Sequence, residues 1–128
     1  MLSEAWRSHY LVAQELQVFL FVHKHSKIDI DISIGILPFE QNCIEKAIEV
    51  KAGGISILLP TPEDLIIMKA IAHRSRDLID IESILDANPV LDYTYIRQSL
   101  KEFSTLLEMP EILQDFELIF NKSQKGKK

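Results

Sequence analysis

Two groups of residues combine charge and spacing that could do chemistry. The first lies in Lys27-Ile28-Asp29-Ile30-Asp31-Ile32-Ser33-Ile34-Gly35. Strict alternation reads as a strand with four isoleucines on one face and Asp29, Asp31 and Ser33 on the other. Neighbouring carboxylates repel each other unless something positive sits between them. Mg²⁺ takes one or two carboxylates together with phosphate oxygens and water, so Asp29 and Asp31 are candidate metal ligands for phosphoryl or nucleotidyl transfer. The alternative is a half-exposed strand whose polar face is merely wet. Lys69, Asp77 and Asp80 form the second group. A lysine at a cleft edge can bind a triphosphate, and a nearby carboxylate can orient it or take a proton. The alternative here is a salt bridge across the turn between two helices, worth little at a surface.

Other chemistry finds less support. His23 and His25 lie two apart beside the aspartate strand, and an HxH/DxD hairpin could hold a transition metal. The competing reading is a polar turn, His23-Lys24-His25-Ser26-Lys27. His73 falls at a helix end, where a cationic side chain suits the dipole. No nucleophile–base signature, GxxxxGK or GxGxxG occurs in the sequence.

The elements that must position these groups follow from the pattern. Residues 1–15 are weakly compatible with a helix. Residues 16–23, LQVFLFVH, are expected as a buried strand, and 28–34 as its antiparallel hairpin partner. Pro38 opens a helical stretch running to Val50, Gly53-Gly54 marks a turn, and 55–59 make a short strand. The clearest helix start is Thr61-Pro62-Glu63-Asp64: an N-cap, a proline at the first position and two acids at the positive end of the dipole. Leu65, Met68 and Ala72 are its expected inward stripe, with Lys69 at the margin. The next helix carries Leu78, Ile81 and Leu85 inward, with Asp77 and Asp80 opposite. A third helix over about 92–107 packs Ile96, Leu100, Phe103 and Leu107. A last one starts at Pro110 with Leu113, Phe116 and Phe120. The expected fold class is α+β, a partial mixed sheet with a helical C-terminal half.

Composition sets the remaining bounds. The chain has 128 residues, 47% hydrophobic and 26% charged, which suits one domain with its own core. A net charge of −5 argues against nucleic-acid binding by overall positive field. The single cysteine, Cys43, excludes an internal disulfide, and no apolar run approaches the length of a membrane span. A cytoplasmic location is the expectation. Residues 1–121 are expected as one domain and 122–128 as a disordered basic tail.

The stretch LPTPEDLIIMKAIAHRSRDLIDIESIL resembles the C-terminal half of bacterial nucleotidyltransferase-fold proteins, the AbiEii-like toxin and minimal nucleotidyltransferase group. There a (S/T)PEDLI-x-K helix start precedes an RD-x-x-D element. The likeness extends left through IDISIGILPFE and right through LDYTYIRQSLKEF and MPEIL, covering about Phe19 to Phe120. It implies a mixed sheet with helices, Mg²⁺ and NTP binding, and transfer of a nucleoside monophosphate to a hydroxyl. Under it Asp31 matches the third carboxylate, which holds metal or activates the acceptor. Lys69 matches the lysine that contacts nucleotide phosphates, and Asp77 and Asp80 match the RD-x-x-D acids. Asp29 sits where the family requires no acid.

The family also has an upstream Gly-Ser turn followed by a D-x-D pair, and this sequence contains no Gly-Ser dipeptide. Asp29-Ile-Asp31 does not replace that pair, because no such turn precedes it and GILPFE belongs to the later strand. The resemblance therefore implies an N-terminally truncated domain, weak or inactive alone. Its expected partners are an NTP, a cognate toxin–antitoxin protein or a second chain supplying the N-terminal unit, with tRNA as one acceptor class and no membrane. The alternative function is a non-catalytic interaction module or homo-oligomer, with LQVFLFVH as its exposed edge.

Overall fold

The isoleucine–aspartate alternation does form a strand, and its neighbours define the first of two compact units, Met1–Gln41 and Asn42–Lys128. A computed structural model describes residues 6–9, 18–35 and 37–127 of the chain. In the first unit β1 (Trp6–His9), β2 (Val18–His23) and β3 (Asp29–Ser33) make an antiparallel sheet of order β1-β2-β3. β2 and β3 are joined by the tight turn at 24–26, closed by His23 N–H to the Ile28 carbonyl and Lys27 N–H to the His23 carbonyl. The register sets Leu20 against Asp31, Phe21 against Ile30 and Val22 against Asp29.

Two expectations change here. Trp6–His9 is strand rather than helix, and the rest of 1–15 lies outside the described residues. With β1 paired along Leu20–His23, β2 becomes the centre of the sheet, so the exposed edge expected at LQVFLFVH falls instead on the outer strands β1 and β3.

Helix α1 (Pro38–Glu45) follows, its first turn closed by Leu37 N–H donating to Glu40 Oε2. The expected continuation to Val50 does not occur. Ile48–Ala52 is β4, paired with β5 (Ile55–Leu59) in a separate two-stranded sheet. The reason is local: β-branched residues flank Gly53-Gly54, and both glycines adopt positive φ, 57° and 77°. That is the demand of a type I′ hairpin turn, and it overrides the helical spacing of the preceding residues.

Helices α2 (Pro62–Ala72), α3 (Ser75–Ala87), α4 (Tyr93–Leu106) and α5 (Glu111–Gly126) carry the core of the second unit. Thr61 caps α2 as expected, its Oγ1 accepting from Asp64 N–H at 3.1 Å. Ile66, Ile67, Ala70, Ile81, Leu85, Ile96, Leu100, Ile112 and Phe116 are all buried. The architecture is therefore α+β with a helical C-terminal half. Yet the buried faces differ in detail from the expected stripes. α2 turns Asp64, Ile66, Ile67 and Ala70 inward, whereas Ala72 is exposed. A helix apolar at residues 65–68 and 71 leaves its face to be chosen by neighbours. In α4 the third inward position is Ser104 rather than Phe103, and Leu107 is exposed. α5 runs through most of the stretch expected as a disordered tail. Ser123 is buried there and donates to Asp86 Oδ1 at 2.7 Å, and Lys122 pairs with Glu82 at 2.9 Å.

Thr61→Ala removes the acceptor for the Asp64 N–H at the start of α2. The expected cost is about 1 kcal/mol, read as a lower denaturant midpoint with unchanged slope.

Candidate functional site

The corner between α2 and α3 collects the second group of charges. His73 closes α2 in the left-handed conformation, φ 53°, donating its backbone N–H to the Lys69 carbonyl at 3.0 Å. Its ring Nε2 lies 2.8 Å from Asp115 Oδ2 of α5. The chain then reverses within two residues and α3 begins. Asp77 sits in the first turn of α3 and is completely buried. This overturns its expected place on the face opposite Ile81 and Leu85, because Asp77, Ile81 and Leu85 follow one another at four-residue spacing on the buried side.

A buried carboxylate needs partners, and Asp77 has three kinds. Arg74 Nε donates to Oδ2 at 2.6 Å, and the Arg74 terminal nitrogen to Oδ1 at 3.2 Å. The Arg74 backbone N–H donates to Oδ2 at 3.2 Å, completing the N-terminal turn of the helix. Lys69 Nζ lies 3.3 Å from Oδ1. The Arg74 guanidinium, with help from Lys69, outweighs burial and holds the Asp77 carboxyl well below the usual carboxylate range. The neighbouring Arg76 takes no part in these bonds. The arginine that serves the second aspartate-bearing helix is the one three residues before Asp77.

Lys69 also reaches Asp80 Oδ2 at 2.7 Å. That bond first, then the Asp77 bond, raises the lysine above its usual value against the opposing effect of burial. The two acids are not equivalent. Asp77 is fully buried and occupied on both oxygens, while the Asp80 side chain is 47% exposed and Lys69 28% exposed. Asp80 is therefore the partner that an incoming anion could displace, and Asp77 the one that keeps Nζ in place.

A second buried carboxylate, not singled out by the spacing of charges, lies at the start of α2. Asp64 Oδ1 accepts from the Tyr95 hydroxyl at 2.7 Å and from Lys46 Nζ at 3.0 Å. Lys46 also donates to the Tyr95 oxygen at 2.9 Å and lies over its ring, 4.2 Å from the centroid. Burial lowers the Lys46 ammonium, but the bonds to Tyr95 and Asp64 outweigh it and its pKa is raised. Burial pushes the Tyr95 hydroxyl up, partly offset by Lys46. Only the adjacency of an acid to an N-cap was visible in the sequence, and that suggested an exposed dipole contact.

In the first unit, Asp29 and Asp31 lie on one face of β3, exposed along the whole strand. They register against the apolar Val22 and Leu20. No ion pair among the described residues involves either of them. Two accessible carboxylates on one face, in no ion pair among the described residues, are the type of ligand that Mg²⁺ takes together with phosphate and water. His23 and His25 stack edge-to-face at 5.9 Å, and His23 Nδ1 is 2.7 Å from Ser26 Oγ, the arrangement of a polar turn. Among the described residues no three histidine, cysteine, aspartate or glutamate side chains converge on a point, so the HxH/DxD transition-metal site does not form there. No helix is long and apolar enough to cross a membrane among the described residues.

Comparison with known families places this geometry in context. Residues 10–127 match the model of a family described as nucleotidyltransferase of unknown function (DUF6036). The chain belongs to that nucleotidyltransferase family. No curated protein and no solved structure matches it.

Asp77→Ala leaves two cations facing a buried gap, with an expected loss of about 3 kcal/mol. The pH dependence has a definite sign. The folded carboxyl is depressed, so its contribution is complete at neutral pH. It declines as pH falls below the unfolded value of about 4. The stability gap between wild type and Asp77→Asn should therefore be largest near neutrality and narrow under acid, measured by urea titrations across pH.

Proposed function

We propose that this chain is a nucleotide-binding protein of the nucleotidyltransferase type, with Lys69 as its phosphate ligand. The observation that carries the reading is the unequal pair of acids on Lys69. Asp77 is buried and fixed, so the ammonium stays extended at the helix corner. Asp80 is half in solvent, so a phosphate oxygen can take its place on Nζ. Lysine suits this exchange because it is a compact point charge with rotatable donors. Asp80, once released, is available to accept a proton.

Asp31 and Asp29 are the residues that would hold Mg²⁺. When bound, the ion neutralises charge on a reacting phosphate. The reaction assigned is transfer of a nucleoside monophosphate from an NTP to a hydroxyl acceptor, in a toxin–antitoxin setting.

A second reading, the non-catalytic interaction module, is favoured by one observation. Ile28, Ile30, Ile32 and Ile34 are 39–58% exposed beside and along the edge strand β3.

Binding is the first test. Each of the four NTPs with Mg²⁺ is added at saturating concentration, and a ligand present at a hundred times its Kd stabilises by about 2.7 kcal/mol. At least one NTP should raise the melting temperature of the wild type, and Lys69→Ala should abolish the rise. If no NTP shifts the wild type, the nucleotide reading fails and the interaction module replaces it.

A further inference from the structure

The hairpin β4–β5 is exposed along both strands. Its register pairs Ile48 with Leu59, Val50 with Ile57 and Ala52 with Ile55 on one face. The other face carries Glu49 opposite Leu58 and Lys51 opposite Ser56, with Ser56 Oγ donating to Glu49. One face is thus wholly apolar, and its isoleucine, valine and leucine side chains are 39–64% exposed. A two-stranded hairpin by itself is marginal in water, and a third strand is the simplest remedy. Both outer edges of this sheet are unpaired among the described residues.

The turn decides which groups the β4 edge offers. A two-residue type I′ turn makes Ala52 and Ile55 a hydrogen-bonded pair. Stepping back by two, Val50 and Ile48 also direct their N–H and C=O toward β5. Glu49 and Lys51 therefore direct theirs outward.

We infer that β4 pairs with β4 of a second copy of this chain, antiparallel about a two-fold axis at Val50. The product is a four-stranded sheet with β5 on each outer side. About that axis Glu49 faces Lys51 of the partner subunit, and Lys51 faces Glu49 of the partner subunit. The outward backbone groups of these residues then meet as two hydrogen-bonded pairs, and their side chains as two opposite-charge pairs. On the apolar face Val50 meets its own copy, and Ile48 meets Ala52. The contact is isologous, as closed two-fold dimers require.

The charge pattern singles out this edge. The same operation on β3 about Ile30 sets Asp29 against Asp31, and about Asp31 sets that residue against itself, so like charges block it. On β5 it sets Ser56 against Leu58, with no charge to fix the register.

Sedimentation velocity of the full chain over a concentration series tests the inference. The wild type should show a concentration-dependent dimer. Lys51→Glu places glutamate against glutamate at both positions and should weaken the dimer roughly tenfold or more. Glu49→Lys should do the same with lysines, and the double variant Glu49→Lys/Lys51→Glu should restore wild-type affinity. Both positions are exposed, and circular dichroism of each variant checks that the fold is kept. A monomer at every concentration overturns the proposal. So does a dimer indifferent to the single charge reversals, which would assign association to the β5 edge or to stacking of the apolar faces.

Discussion

The burial of Asp77 between Arg74 and Lys69 is the constraint on which the helical unit depends. α2 and α3 are joined by only two residues, so their relative direction is set by what holds the corner. Lys69 comes from the last turn of α2, Arg74 from the connection and Asp77 from the first turn of α3. One carboxylate therefore links all three segments. The link sits directly beside the apolar layer of Ile81 and Leu85, which places a charge where hydrocarbon would otherwise pack. Such an arrangement is a poor source of net stability, since desolvation opposes much of the attraction. Its benefit is geometric. It holds an ammonium group in the last turn of α2, where the helix dipole also favours a cation.

α2 carries a buried aspartate of its own at the opposite end, and the two sites follow one logic. Asp64 draws in Lys46 from the residue after α1 and Tyr95 from α4, as Asp77 draws in Lys69 and Arg74. Asp64 converts a stretch of helix surface into a point of attachment for elements distant in sequence, and Asp77 does the same for the adjoining helix end and the connection. Between them, Ile66, Ile67 and Ala70 provide the apolar contact. α2 is thus fastened at both ends by charge and along its middle by packing. Arg97 works in the same style further along, paired with Glu117 at 2.6 Å and lying over the Phe120 ring, so α4 and α5 are joined by one side chain. Glu117 holds that guanidinium above the usual arginine value.

The two sheets differ from the helices in what they leave uncovered. β3 and the β4–β5 hairpin expose every residue, yet their charge patterns are opposite in consequence. β3 presents acids alone, which suits a divalent cation and repels a copy of itself. β4 presents one acid and one base at symmetric positions, which suits self-pairing. The same backbone geometry therefore separates a candidate ligand face from a candidate association edge by the order of a few charges. Membership of a nucleotidyltransferase family gives the first of these a chemical setting.

Much of the fold could be read from local pattern. The alternation at 28–34, the Thr61-Pro62 helix start and the helix near 93–106 are features that each segment specifies within its own few residues, through sterics and local hydrogen bonds. Lys69, Asp77 and Asp80 could likewise be grouped from spacing, since a short connection forces neighbouring helix ends together. What the sequence could not settle was which face of α2 turns inward, or that Asp77 would join Ile81 and Leu85 on the buried face of α3. α2 is apolar almost all round, and an aspartate reads as a surface residue until its partners are known. Asp64 is buried where Lys46 and Tyr95 arrive from elsewhere in the chain to bond its Oδ1, and Asp77 where Lys69 of the preceding helix joins the neighbouring Arg74. Those arrivals are tertiary events. The central place of β2 has the same origin, because a strand becomes an edge or a centre only when its neighbours pair with it.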